Sequence, residues 1–487
     1  MNLMMTKSRR RVAGPSSVLL ASLLLTACAV GPTYTPPAAT LIDAWQAPLP
    51  HNGDRASLAA WWSRWNDPAL RGFIEAAQAE NPSVQQAAAR IAQSRAGQTI
   101  AGSNALPNVS GSAAANRGNS AGGFALPGAT TSVSSTLQAA WELDLFGANR
   151  RGREAADARL SARHLDWHQA RVSLAAEVAS AYVNLRVNEA LATGYERDAA
   201  SRSETARLTG LKTNAGFEAP ANAALANASA SEARARLTAQ RAELDLGIKA
   251  LVALTGLPEA SVRMALAANR AKLPVPANLT VPSIPANVLA QRPDLAAAER
   301  ELAALTADIG AAEADRYPRI SLSGSVGLSA SRLAGITTES TTWGFGPSLS
   351  IPLFDAGRRI ANVDLAKARY AESLAGYKAI AIRAVREVEE ALTQLQSAQG
   401  RAGDVQASLS GYQAFEKAAQ ARLAAGAGSV LELQEARRAV LASEVAVLAL
   451  ERDRLNAWIS LYRAVGGGWD QGQISSDSQV KVSEKTQ

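Results

Sequence analysis

Leu145-Phe146-Gly147-Ala148-Asn149-Arg150-Arg151 returns 208 positions later as Leu353-Phe354-Asp355-Ala356-Gly357-Arg358-Arg359, and this repetition decides the fold. Working outward, Leu106-Pro107-Asn108-Val109-Ser110 matches Tyr317-Pro318-Arg319-Ile320-Ser321 at an offset of 211, as Asn81-Pro82 matches Arg292-Pro293. Lys212 and Gly216 match Arg422 and Gly426 at 210. One chance match would mean little. Four in the same order at nearly constant spacing mean two copies of one structural unit.

Each copy reads helix, strand, strand, long helix, helix. Before the first motif, Val133, Leu137, Ala139, Trp141, Leu143 and Leu145 alternate with Ser134, Thr136, Gln138, Glu142 and Asp144, the two-residue period of a strand. In the second copy Ile320, Leu322, Val326, Leu328 and Ala330 alternate with serines, and Trp343, Phe345, Leu349, Ile351 and Leu353 continue the pattern. This predicts strands over 105–117, 132–146, 318–331 and 343–353, joined by Gly/Ser-rich loops at 117–131 and 332–342. Pro347 and Pro352 are awkward in a strand interior and predict a bent fourth strand. Strands of about ten residues cross a bilayer when tilted, and Trp and Phe near their ends suit its interfaces. The strands are therefore read as transmembrane.

Residues 154–212 and 358–424 are nearly free of Pro; at 1.5 Å per residue each helix would extend about 90–100 Å. Returning helices are expected over 219–254 and 430–464, with repeating apolar positions such as Val440, Leu441, Val445 and Leu448 consistent with coiled-coil-like packing. The segments 212–216 and 422–426 read as helix returns whose glycines permit a left-handed backbone. Gly194 and Gly400–Gly403 read as kinks or as the turns at the far tips of the helices.

The amino terminus has the parts of a secretory leader over 1–27: basic Lys7–Arg11, apolar Val18–Leu25, then Thr26-Ala27. It is too short for a permanent span. Cys28, the only cysteine among 487 residues, ends Leu25-Thr26-Ala27-Cys28, which resembles a bacterial lipobox. Its thiol is expected to carry a diacylglycerol and its amine an acyl chain, each buried CH₂ being worth about 0.8 kcal/mol of anchoring. The leader's four cations supply four of the seven formal positive charges, leaving +3; that is no nucleic-acid footprint. The domain reading is an extended arm over 28–67, a first copy over 68–270, a Pro-rich linker over 271–291, a second copy over 292–469 and a disordered polar tail over 470–487.

Four strands in an open sheet would leave edge N–H and C=O groups facing hydrocarbon at several kcal/mol each. Closed barrels begin at about eight strands. Several chains must therefore share one barrel, with a lumen lined by the Ser, Thr, Gln, Glu and Asp faces.

Here the chain resembles the outer-membrane efflux proteins of the TolC superfamily, in the lipoprotein branch with OprM and NodT-type proteins. The residues that carry it are Cys28-Ala29-Val30-Gly31-Pro32-Thr33-Tyr34, Trp61-Trp62, Asp67-Pro68, Asn81-Pro82, Asp144-Leu145-Phe146-Gly147, Arg292-Pro293-Asp294, Tyr317-Pro318, the Leu353 motif and Gly466-Gly467-Gly468-Trp469. The resemblance implies an α+β membrane protein: a homotrimer with a shared twelve-stranded β-barrel, four strands per protomer, continuous with a long periplasmic helical barrel and a mixed equatorial region. It implies an efflux duct, lipid-anchored in the Gram-negative outer membrane, docking to a periplasmic adaptor and an inner-membrane resistance-nodulation-division transporter. Ala29, in place of Asp after the cysteine, points the same way. Members close at the periplasmic tip, and Arg401 and Asp404 in Gly400-Arg401-Ala402-Gly403-Asp404 are the candidate gate residues by position.

No enzyme chemistry emerges. Gly118-Asn119-Ser120-Ala121-Gly122 formally matches a nucleophile elbow but lies between strands, and His164 and His168 lack further zinc ligands. No cofactor is expected, and without a P-loop the energy must come from a partner. Competing readings are a duct for type I protein secretion, a non-conducting structural lipoprotein and, on Ser120 alone, a periplasmic hydrolase.

Overall fold

The computed structural model describes residues 30–37, 61–119, 129–276, 292–333 and 335–467. Cys28, Ser120, the leader and the polar tail lie outside them, as does most of the Pro-rich linker. The first copy contains α1 (Pro68–Glu80), α2 (Pro82–Ser103), β1 (Asn108–Asn119), β2 (Ala129–Leu143), α3 (Ala148–Asn214), α4 (Pro220–Thr255) and α5 (Glu259–Ala267). The second contains α6 (Pro293–Ala314), β3 (Arg319–Leu333), β4 (Ile336–Ser350), α7 (Arg358–Ala424) and α8 (Val430–Ala464). The duplication is visible in the lengths: α2 and α6 both have 22 residues, and α3 and α7 both have 67.

The same local devices recur at matching positions. Asp144 accepts from the amides of Asn149 and Arg150, and Asp355 from those of Gly357 and Arg359, so a carboxylate caps each long helix at its positive end. At the other end, Phe217 N donates to Lys212 O while Gly216 N donates to Thr213 O; Ala427 and Gly426 repeat this with Arg422 and Leu423. Gly216 at φ 77° and Gly426 at φ 74° are the left-handed residues these caps need.

The chain divides into two compact units, and the boundary does not follow the repeats. Among described residues, the sheet unit comprises 30–37, 91–162 and 298–375; the helical unit comprises 61–90, 163–276, 292–297 and 376–467. Each unit draws on both copies. The reason is strand pairing: β2 of the first copy pairs with β3 of the second, giving one antiparallel sheet in the order β1-β2-β3-β4. In the helical unit, Trp61, Trp65, Phe73, Tyr182, Leu185, Leu251, Leu392 and Leu455 form one buried core.

Three sequence expectations change. The fourth strand begins at Ile336, seven positions earlier than expected, because residues 337–342 form strand and not loop. Leu333 pairs with Ile336 across a two-residue turn in which Gly335 takes φ 88°, a geometry suited to a tight hairpin. Pro347 lies within β4, opposite Leu322, and Pro352 lies past the strand's end. Gly194 and Gly400–Gly403 make no turn; all lie inside unbroken α3 and α7. A glycine costs a helix only about 1 kcal/mol relative to alanine, which the flanking turns absorb. Arg401 and Asp404 therefore sit mid-helix, some 20 residues before the α7–α8 turn.

Candidate functional site

The register fixes which side chains share a face of the sheet. One face carries the rows Leu143–Ile320–Leu349, Trp141–Leu322–Pro347, Val109–Ala139–Gly324–Phe345, Gly111–Leu137–Val326–Trp343, Ala113–Ser135–Leu328–Thr341 and Ala115–Val133–Ala330–Glu339. The opposite face carries Asn108–Ala140–Ser323–Gly346, Ser110–Gln138–Ser325–Gly344, Ser112–Thr136–Gly327–Thr342 and Ala114–Ser134–Ser329–Ser340. Ser329 and Ser340 hydroxyls lie 3.0 Å apart.

Large apolar side chains of the sheet are exposed, where a water-soluble sheet would bury one face. Val133 and Leu137 are 52% and 53% exposed, and Trp343 and Phe345 are 81% and 73% exposed. On β2, Ser132, Ser134 and Thr136 alternate with Val133 and Leu137 and are half-buried, whereas β1 and nearly all of β4 are exposed on both faces. An apolar face backed by a face of hydroxyls and amides is the arrangement of a barrel wall between lipid and aqueous lumen. From Ile320 to Ala330 the apolar face extends about 34 Å along the strand, or about 25 Å of depth at a tilt near 40°. Among the strand residues on the polar face, the charged side chains Glu142 and Arg319 lie at the helical end. The outer edges of β1 and β4 pair with nothing among the described residues.

Below the sheet, the extended arm is tied down by Arg151. Its guanidinium donates to the carbonyls of Val30 and Gly31, and Val30 N donates to Phe146 O at 3.3 Å. Gly31, at φ 95°, lies so close to Gly310 that a Cβ would come within 2.4 Å of its Cα; only glycine fits there.

The helical unit holds its helix ends through buried polar groups, some of them in the quoted X-Pro motifs, whose partners the sequence did not show. Asn81 Nδ2 donates to Leu254 O at 2.8 Å, and its counterpart Arg292 donates to Ala464 O at 2.9 Å, 210 positions on. The two X-Pro motifs therefore do the same work: each closes a carbonyl at the end of a returning helix. Arg292 also pairs with Asp294 and Glu387. Arg186 is fully buried; it donates to Tyr182, Glu189 and Leu266 O at 2.8–2.9 Å, and Tyr182 donates to Asp67 at 2.6 Å. Burial works to lower the Arg186 pKa, but hydrogen bonds with Glu189 and Tyr182 more than offset it and hold it above the ordinary value. Burial, then the Asp67 hydrogen bond, pushes the Tyr182 hydroxyl up. The signal for Asp67 was its place before Pro68, an N-cap position it fills by accepting from Ala69 and Leu70 amides. Nothing in the sequence marked Arg186.

The helix-return ends carry exposed apolar groups, Leu211, Phe217, Leu225 and Leu431, and enclose a cleft of about 400 Å³ lined in part by Arg202, Lys212, Glu218 and Arg438. Arg401, expected at a tip, instead faces α8, with Asp453 at 3.9 Å, while Asp404 lines a shallow groove with Tyr412 and Ser443. The two are not brought together at a helix end.

This sheet and these paired helix hairpins define an outer-membrane channel of TolC-like fold. The family pattern described as outer membrane efflux protein matches residues 73–257 and again 284–467, and the chain belongs to that family. The double match coincides with the two copies. Nodulation protein T of Rhizobium leguminosarum bv. viciae is 31% identical over 94% of this chain and 95% of its own length. Outer membrane protein OprJ of Pseudomonas aeruginosa is 31% identical over 95% and 98%. The solved outer-membrane channel OprN is 30% identical with a TM-score of 0.78, covering 91% of this chain and 100% of that one. The protein is a passive efflux channel of the outer membrane and not an enzyme.

Proposed function

We propose that three copies close their sheets into one twelve-stranded barrel that exports small molecules as the outermost part of a tripartite pump. The observation that carries this is the exposed apolar face of the sheet, with Val109, Leu137, Val326, Trp343 and Phe345, together with its two open edges. Twelve or fifteen residues of unpaired edge in hydrocarbon would be prohibitive; pairing β1 of one protomer with β4 of the next removes both edges. The lumen across the sheet is then a wall of hydroxyls and amides with little charge, which admits diverse cargo and leaves selection to an inner-membrane transporter. A periplasmic adaptor docks on the exposed apolar groups around Phe217 and Leu431. Arg401 and Asp404, being mid-helix, enter this reading only as lumen or surface charges.

The purified protein is expected to have a mass of three chains in detergent and to conduct in planar bilayers. A folded monomer in detergent-free buffer sinks the proposal.

Lipid anchoring of Cys28 is part of the same reading. Val30 is fastened beside Phe146, just beyond the helical end of β2, so a thioether two residues earlier would enter the periplasmic leaflet without pulling on the fold. Mass spectrometry of the mature chain is expected to find an N-terminal Cys28 bearing diacylglycerol and an acyl chain, and Cys28→Ser to lose both. A mature chain with a free Cys28 thiol refutes the anchor.

A further inference from the structure

We infer that the outer rim of the sheet binds the phosphorylated headgroups of the surrounding outer-leaflet lipid through Arg117 and Arg332. The inference rests on the barrel reading and extends it. Above the row Ala115–Val133–Ala330–Glu339, apolar but for its last member, the register places the row Arg117–Thr131–Arg332–Thr337 on the same, outward face. All four residues are exposed. The apolar band beneath them accounts for about 25 Å of depth, so this row stands at headgroup level, at the hairpin end remote from the helices.

Arg117 and Arg332 are two strands apart, about 10 Å between backbones. With Thr131 between them, both guanidiniums can close on one phosphate or hold two. Among the described residues neither forms an ion pair or side-chain hydrogen bond with a protein group, and the adjoining connection, 120–128, contains no Asp or Glu. Glu339 is the one carboxylate in the neighbouring row, diagonal to Arg332, and it makes no ion pair with it. Two unpaired planar cations at headgroup depth match a phosphate fork in charge and geometry. At the opposite end the apolar face terminates in Leu143, Ile320 and Leu349, with no cation. The belt is therefore specific to one leaflet.

The test uses the full-length assembly in neutral phosphatidylcholine vesicles, with or without lipopolysaccharide, followed by detergent extraction and native mass spectrometry. The wild type is expected to retain lipopolysaccharide, and the double variant Arg117→Gln/Arg332→Gln to retain at least about tenfold less. The Lys/Lys variant is expected to fall between, because it keeps charge without the fork. Equal retention by wild type and the Gln variant, or equal retention of lipopolysaccharide stripped of its phosphates, overturns the inference; the latter result would assign retention to acyl chains alone. Circular dichroism and oligomer mass confirm that the variants assemble, and the single Gln variants, expected to be intermediate, keep the test open if the double one does not. Failure of the wild type itself to insert in any vesicle overturns the barrel reading, and the inference with it.

Discussion

Leu137→Arg is expected to destabilise the embedded barrel by about 2–4 kcal/mol per protomer, the cost of a cation at mid-depth on a lipid-facing strand. Leu137 lies in the middle of the apolar face, opposite Val326 and in the same row as Trp343. Three sites would be struck at once in a trimer, so assembly is expected to fail before equilibrium unfolding can be measured; a mixed trimer with one variant protomer gives the single-site value. Gln138→Arg is the control. Its neighbours on the polar face are Ser110 and Ser325, and an arginine there meets lumen water at little cost. Urea unfolding in vesicles compares the two. Equal losses would falsify the assignment of lipid and lumen faces.

Arg186→Ala is expected to cost the helical unit about 3–5 kcal/mol, the usual penalty for removing one partner of a buried ion pair. The change leaves Glu189 with a buried carboxylate and Leu266 with an unanswered carbonyl, and takes from Tyr182 one of its two partners. Since Trp61 and Trp65 belong to the same core as Tyr182, tryptophan fluorescence during denaturation reads the loss directly. Arg207→Ala is the contrast: its bond to Glu204 is on the surface, and its removal is expected to leave stability unchanged. A loss for Arg186→Ala no larger than for Arg207→Ala means the buried network does not hold the unit together.

Arg186 and Arg401 differ in how far away their partners lie along the chain. Both are arginines in long helices, and only Arg401 stood out, because two glycines beside it mimicked a turn. Glycine weakens a helix without ending it, and the ends belong to Gly216 and Gly426, where a positive φ lets the chain reverse. The importance of Arg186 arises from groups 80 positions or more away, Leu266 and Asp67 through Tyr182, and no local pattern encodes such distances. β4 was misplaced for a related reason. Its first half, 337–342, is polar on both faces, so period alone could not separate it from loop.

From the sequence alone came the duplication, the strand–strand–helix–helix order of each copy, the helix returns and the alternation that makes a two-faced sheet. These are periodic or repeated properties, written in neighbouring residues by backbone geometry. The tertiary structure decided that β2 pairs with β3, so that the copies interleave, and which row of side chains stands at the rim with Arg117 and Arg332 together. Register between β2 and β3 depends on hydrogen bonds between residues 177 to 201 positions apart, and a shift of one residue would exchange the faces.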